Sequence, residues 1–285
     1  MAGFEHHVRR AHPALRPYVG DLTGYAYRGA PLELHRGLPS RYLTIVISLD
    51  EPLGIAWPDS PVEKYQTVVS GLHSTAVRIG DSPNLAGIQL ALTPAGSRAL
   101  LGLPSGELAT TTLDVDTLLG VPAQEVGERL RATPHWHERF DIVERLLLES
   151  WRDEPIGAPR AELSWAWRRL CETSGGVGVQ ELAGEIGWSR RHLTEQFRAE
   201  YGLAPKVAAR VLRFERAVGR LKAKPQTRLA DLAADLGYAD QAHLTREWHA
   251  IAGCSPRQWM TEELGFVQDD RRVVHRGPTT VAGSP

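Results

Sequence analysis

Two stretches of this 285-residue chain, fifty positions apart, repeat one another. The first reads Leu182-Ala183, Ile186-Gly187-Trp188-Ser189, His192-Leu193-Thr194, Phe197, Gly202 and Pro205. The second reads Leu232-Ala233, Leu236-Gly237-Tyr238-Ala239, His243-Leu244-Thr245, Trp248, Gly253 and Pro256. The offset is 50 through Ala239 and 51 from His243 onward, so one residue has entered at the turn. A unit this short cannot bury its own apolar face and must pack against helical neighbours. The repeat therefore commits this region to an all-α domain of two like units.

Each unit has the pattern helix, turn, helix. Leu182, Ala183 and Ile186 form an apolar stripe, and small Ala183 allows close helix approach. Gly187 supplies a left-handed turn that glycine adopts cheaply, and Ser189 stands where an N-cap is wanted. Leu193 and Phe197, four apart, then face the core. In the second unit Asp240 is the cap, and Leu244 and Trp248 face inward. A second helix that exposes its N-terminal polar residues is what major-groove readout requires. Between the units, Lys206 to Lys224 carries seven basic residues against one acid, Glu215. Val207, Val211, Phe214, Val218 and Leu221 make its apolar stripe. As a helix it spans roughly 28 Å, able to set two readers about one DNA turn apart.

The overall charge of -1 hides an asymmetry. Residues 1–159 hold 14 Lys+Arg against 19 Asp+Glu, whereas residues 160–260 hold 16 against 11. The charge of the domain, not of the chain, bears on nucleic-acid binding.

The first half reads differently. RYLTIVISLD, YQTVVSGL, STAVRIGD and GIQLALTP are short β-branched or apolar runs separated by Gly, Pro, Asn and Asp. They predict an antiparallel sheet, barrel or sandwich. Helical spacing predicts helices over Pro122–Arg131 and Arg139–Trp151, the second with Phe140, Val143, Leu146 and Leu147 on one face. That face is either a dimer contact or intradomain packing. The predicted class is α+β: a mainly-β N-terminal domain with following helices (1–155), then an all-α domain (160–263) holding the units 179–200 and 229–250. DEPIGAP marks the boundary between the two domains. The tail, 266–285, has little apolar periodicity and is expected to be largely disordered.

The pattern LAxxIGWSxxHLTxxF and the closing GCSPRQW resemble the AraC-type transcription regulators over roughly Arg160 to Met260. In that family the C-terminal domain holds two helix-turn-helix units joined by a long helix. Two departures, Trp259-Met260 and Ala239-Asp240, bear on base preference and leave the apolar frame intact. LPSRYLTIVISLDEPL, GIQLALTPAGSRALLGLPSGEL and LLGVP more weakly resemble the amino-terminal domain of an uncharacterised branch of the family. The resemblance implies double-stranded DNA as partner, a small-molecule effector at the N-terminal domain and a homodimer, with no cofactor. The two recognition helices would enter successive major grooves.

The candidate DNA-binding residues are Arg190, Arg191, Thr194, Glu195 and Arg198 in the first unit, and Gln241, Ala242, Thr245 and Arg246 in the second. His192, His243, Arg210 and Arg213 are candidate phosphate contacts. Arginine to guanine is the commonest specific pairing, Gln241 suits an adenine edge, and Ala242 or Thr245 suits a thymine methyl. Bland readings stand beside these. The Arg190-Arg191 pair could be a solvated helix face, but its place at the start of a second helix, inside a repeat, favours DNA. Glu195 could accept from a cytosine or pair with Arg191 or Arg198. A non-specific nucleic-acid scaffold is the alternative to a sequence-specific regulator.

An enzyme is not expected. No nucleophile elbow, phosphate-cradling glycine loop or dinucleotide fingerprint occurs. A metal-dependent enzyme would need more than His135-x-His137, which lacks a third ligand at a convincing spacing, or the isolated His6-His7 and His73. Cys171 and Cys254 lie in no metal or disulfide spacing, which fits a reducing cytoplasm. No run reaches the ~20 apolar residues of a membrane span, and the N-terminal residues lack the apolar core of a secretory signal.

Overall fold

The computed structural model describes residues 3–28, 35–80, 84–151, 159–268 and 273–275. The strands of the first half are β1 (Gly3–Arg9), β2 (Val19–Arg28), β3 (His35–Gly37), β4 (Leu43–Ser48), β5 (Leu53–Ala56), β6 (Glu63–Tyr65), β7 (Thr67–Ser70), β8 (Val77–Gly80), β9 (Asn84–Leu92) and β10 (Thr112–Asp114). A small hairpin, β11 (Thr117–Leu118) and β12 (Val121–Pro122), follows. The helices are α1 (Pro94–Gly96), α2 (Ala123–Ala132), α3 (Trp136–Ser150), α4 (Ala161–Glu172), α5 (Val179–Glu185), α6 (Arg190–Tyr201), α7 (Pro205–Ala223), α8 (Leu229–Asp235), α9 (Gln241–Ala252) and α10 (Pro256–Gln268). A last strand, β13 (Val273–His275), lies parallel to β1. The class is α+β, with strands first and helices after.

Seven strands form one sheet in the order β10-β7-β4-β9-β2-β1-β13, and four form another in the order β3-β8-β5-β6. The period of two along each strand sorts side chains between two cores. In β4, Ile45 and Ile47 face the helices while Val46 faces the small sheet. In β9, Ile88, Leu90 and Leu92 join the first group and Leu85 the second. The register Ile45↔Leu90 and Ile47↔Ile88 puts these pairs side by side. One face of the large sheet thus packs on the small sheet and the other on α2 and α3, whose Val126, Leu130, Phe140, Val143 and Leu147 are buried there.

The four strand runs expected from sequence correspond to β4, β7, β8 and β9. β1 and β2 carry too many polar residues to announce themselves. Arg9 of β1 is 3% exposed and is held by Asp141 and by Glu144 at 3.3 Å, both on α3. α3 also begins three residues before the expected Arg139, so Trp136 is a buried helical residue rather than part of a loop. The apolar stripe of α3 is spent within the chain. The expected boundary DEPIGAP lies almost wholly outside the described residues. Of the expected tail, α10 takes in residues 266–268 and β13 residues 273–275; the remainder lies outside the described residues.

α7 joins two cores. Ala208, Ala209 and Leu212 belong to the large one, which runs from the sheet through α4 and α6, whereas Phe214, Ala217, Val218 and Leu221 belong to a smaller one with α8, α9 and Trp259 of α10. Its buried face is broader than the stripe read from sequence, and Val207 is only half-buried.

The sheet-bearing half grips both helix-turn-helix units. Arg98 donates to both Glu200 carboxylate oxygens, at 2.8 and 2.6 Å, and Ser105 Oγ donates to the Glu200 carbonyl. Gly106 lies so close to α6 that a Cβ there would fall 2.2 Å from the Ala199 carbonyl oxygen. Arg41 binds Glu215 of α7 at 2.9 Å. Ala76 N–H donates to the Ile251 carbonyl at 2.6 Å. His35 and Arg36 of β3 hold Glu262 and Glu263 of α10.

Candidate nucleic-acid interface

The two units share the geometry of their turns and their helix caps. Gly187 and Gly237 both adopt positive φ, at 71° and 73°, so each turn reverses without a Cβ clash. Trp188 N–H then donates to the Ala183 carbonyl at 2.9 Å, and Tyr238 N–H to that of Ala233 at 3.0 Å. Ser189 caps α6 by accepting from His192 N–H at 3.2 Å; Asp240 caps α9 by accepting from His243 N–H at 2.6 Å. Left-handed Gly202 and Gly253 end the two helices. Leu193 and Phe197, and Leu244 and Trp248, are buried as the spacing predicts.

With those faces fixed inward, the polar residues at the helix starts are left in solvent. Arg190, Glu195 and Arg198 are exposed, and the Arg191 side chain is 89% exposed. On α9, Gln241, Ala242 and Arg246 are exposed. Glu195 binds Arg191 at 2.8 Å, one turn apart on the same helix. Of its two readings from sequence, the ion pair is the one formed here, and it ties the Arg191 guanidinium to its own helix. Thr194 and Thr245 are half-buried, each donating its hydroxyl to the carbonyl four residues back. Their hydroxyl protons are thus committed to the backbone. The offset of 51 also pairs Arg198 with His249, an exposed residue in the last turn of α9 that the reading of the sequence passed over although the repeat pointed to it.

The four candidate phosphate contacts are more enclosed. His192 sits edge-on to Trp188 at 4.5 Å, and His243 edge-on to Tyr238 at 5.3 Å. His243 Nδ1 accepts from Ala239 N–H at 3.3 Å, which spends that nitrogen on the turn. Arg210 binds Glu247 of α9 at 2.9 Å. Arg213 donates to the Gly175 carbonyl and lies over the Tyr238 ring at 5.3 Å. Both arginines brace α7 against its neighbours. The exposed cations of α7 are instead Lys206, Arg216, Arg220 and Lys222, and Arg220 is paired with Asp235.

Contacts from the sheet-bearing half fall at the opposite ends of the recognition helices. Glu200 and Ile251 are each ten residues past the first residue of their helix, about 15 Å along its axis. The helix starts are clear of those contacts. Among the described residues no group of three His, Cys, Asp or Glu is placed to hold a metal. Burial pushes the Cys171 thiol up to about 11 and raises that of Cys254, so neither favours a thiolate. No helix among the described residues is long and apolar enough to cross a membrane.

Residues 182–262 match a family of sequences described as a helix-turn-helix domain. This is an AraC-type helix-turn-helix domain. The match spans most of the first unit, α7, the second unit and the first half of α10. No curated protein matches it. The fold is similar to that of ToxT from Vibrio cholerae, at 10% identity, covering 85% of this chain and 98% of that one, with a TM-score of 0.52. A structure of ToxT from Vibrio cholerae O395 bound to (E)-4-(8-methylnaphthalen-1-yl)but-3-enoic acid matches over the same shares, at 10% identity and a TM-score of 0.51. The C-terminal domain of AraT, a response regulator from Geobacillus stearothermophilus, matches 37% of this chain and 88% of its own, at 17% identity and a TM-score of 0.34.

Proposed function

We propose that this protein is a sequence-specific regulator that reads double-stranded DNA with α6 and α9 in successive major grooves. The AraC-type helical domain spans 160–263, and a sheet-bearing effector domain spans 1–155. The supporting observation is the polarity of the two recognition helices. Both leave their starts in solvent, and both are gripped by the rest of the chain at their far ends. Arg190, Arg191 and Glu195 meet one groove segment, and Gln241, Ala242 and Arg246 the next. In this reading the Arg191–Glu195 pair opens on binding, Arg191 taking a guanine edge and Glu195 a cytosine amino group. His192 and His243 shape the turns and come near phosphates through their outer edges, while Arg210 and Arg213 set the angle of α7 rather than touch the duplex.

The test is selection of bound duplexes from a random pool, followed by Arg191→Ala. An enriched motif with two elements about one helical turn apart is expected, and the variant should lose ~1–3 kcal/mol and relax preference at one position. Equal loss on every sequence would make Arg191 a phosphate contact, and binding without any motif would favour the non-specific scaffold. The effector side of the proposal draws on the shared fold with acid-bound ToxT. The stripe that motivated dimerisation through α2 and α3, Phe140, Val143, Leu146 and Leu147, is buried in the chain's own core, whereas Leu148 of α3 is exposed. A sedimentation series tests whether the chain forms a dimer, and Leu148→Glu in that series tests whether α3 takes part.

A further inference from the structure

A cleft of about 620 Å³ opens on the helix-packed side of the large sheet, between the ends of β1, β2 and β9 and the turn joining α2 to α3. Its volume is that of a small-molecule site. It lies apart from the space between the two sheets, which Val46, Leu53, Ile55, Val68 and Leu85 fill. Ala26 and Ala86 give it a shallow floor.

Its charges do not balance locally. Three arginines line it, Arg28, Arg131 and Arg139, against two carboxylates, Glu5 and Asp50. Both carboxylates are in use. Asp50 faces Arg28 at 3.7 Å, and Glu5 accepts from Trp136 Nε1 at 2.7 Å. Among the described residues Arg131 and Arg139 have no carboxylate within ion-pair distance.

Arg139 is also held in place. Its Nε donates to the carbonyls of Leu130 and Thr133, at 3.1 and 2.7 Å, and its guanidinium lies over the Trp136 ring at 4.5 Å. Nε is thus spent on the turn, which leaves the Nη pair for another acceptor. Burial pushes the Arg139 pKa below its ordinary value, Glu5 and Asp50 only partly offset this, and Arg28 adds to it. The guanidinium is short of negative charge where it stands. The same wall carries the first turn of α3, whose N-cap, His135, makes no side-chain capping bond. The positive end of that helix's dipole favours an anion on this wall, with Glu138 the acid of the first turn.

We infer that this cleft binds a small organic oxyanion, a carboxylate or a phosphate monoester, whose head sits between Arg131, Arg139 and the start of α3. The inference rests on reading the sheet-bearing half as an effector domain and adds to it the place and the chemical class of the ligand.

Calorimetric titration of the full chain with benzoate, phenyl phosphate and neutral benzamide tests it. One of the two anions should bind at least tenfold more tightly than benzamide, and which one does so distinguishes carboxylate from phosphate. That affinity should drop about tenfold in Arg131→Gln and in Arg139→Gln, as expected when a charge-assisted hydrogen bond is lost. Arg139 also supports the turn, so the exposed Arg131 variant carries the decision if Arg139→Gln is unstable. Anions binding no better than benzamide, or binding equally to Arg131→Gln, would overturn the site. Fluorescence anisotropy of labelled DNA, with and without the bound anion, separates the two readings. A cleft that binds the anion and leaves DNA affinity unchanged keeps the site and removes the effector role.

Discussion

Replacing Arg98 with methionine measures how firmly the sheet-bearing half is held to the first recognition helix. The Glu200 side chain is 7% exposed and that of Arg98 15%, and the two form a bidentate pair. Methionine keeps the apolar stem and removes the charge, so the Glu200 carboxylate stays buried without its partner. Breaking a buried pair from one side costs about 3–5 kcal/mol. The chain can limit that cost by letting the segment Ser105–Leu108 lift from α6, which would let water reach Glu200. Two readings are therefore expected together in urea unfolding and amide hydrogen exchange. Global stability should fall by ~3 kcal/mol or somewhat less, and protection should drop selectively at residues 105–108 and 198–203. The double variant Arg98→Met with Glu200→Leu should recover to within ~1 kcal/mol of the parent, since an apolar pair of similar size commonly replaces a buried ion pair at little cost. A loss below ~1 kcal/mol in the single variant, with exchange unchanged, would refute the view that this pair is buried and bolts the two halves together.

Further perturbations act on three single side chains. Ser189→Ala and Asp240→Ala each remove an N-cap bond and should each cost ~1 kcal/mol in urea unfolding, while Asp240→Asn stays within a few tenths. An intact midpoint in both alanine variants would contradict the caps. His73 donates from Nδ1 to the Thr75 carbonyl at 2.7 Å, and burial holds its imidazole below the ordinary 6.5; burial lowers His7 as well. The unfolded chain takes up these protons first, so their contribution is intact above pH 6.5 and is lost as pH falls below it. The slope can reach ~1.4 kcal/mol per pH unit for each group. His73→Gln should flatten the curve between pH 6.5 and 5.5, and an unchanged slope would count against a buried neutral His73.

What the sequence revealed followed the range of the interactions. The helix-turn-helix units were legible because Gly187, Ser189, Leu193 and Phe197 act on one another within ten residues, and the second unit repeats the same bonds. Arg210 and Arg213 read as phosphate ligands because nothing nearby in sequence occupies them; Glu247, 37 positions beyond Arg210, does so in the fold. β1 stayed hidden for the same reason, its buried Arg9 being matched by Asp141 from 132 positions away. The grip of Arg98 on Glu200 and the cleft above Ala26 have no periodicity or motif to betray them, because both arise where elements distant in sequence meet.

α7 is one rigid rod shared by two cores, and this makes the chain sensitive to length in a way it is not sensitive to composition. A single residue inserted near Arg213 would turn everything beyond it by about 100° and advance it by about 1.5 Å. Phe214, Val218 and Leu221 would then leave their core, and the start of α9 would turn relative to that of α6. No loop lies within the rod to absorb the error. A DNA target has the matching constraint, since one added base pair between two half-sites rotates them by roughly 34–36° at 10–10.5 base pairs per turn. The separation of the two half-sites should therefore be the least variable property of any site that both units read, more fixed than the bases themselves.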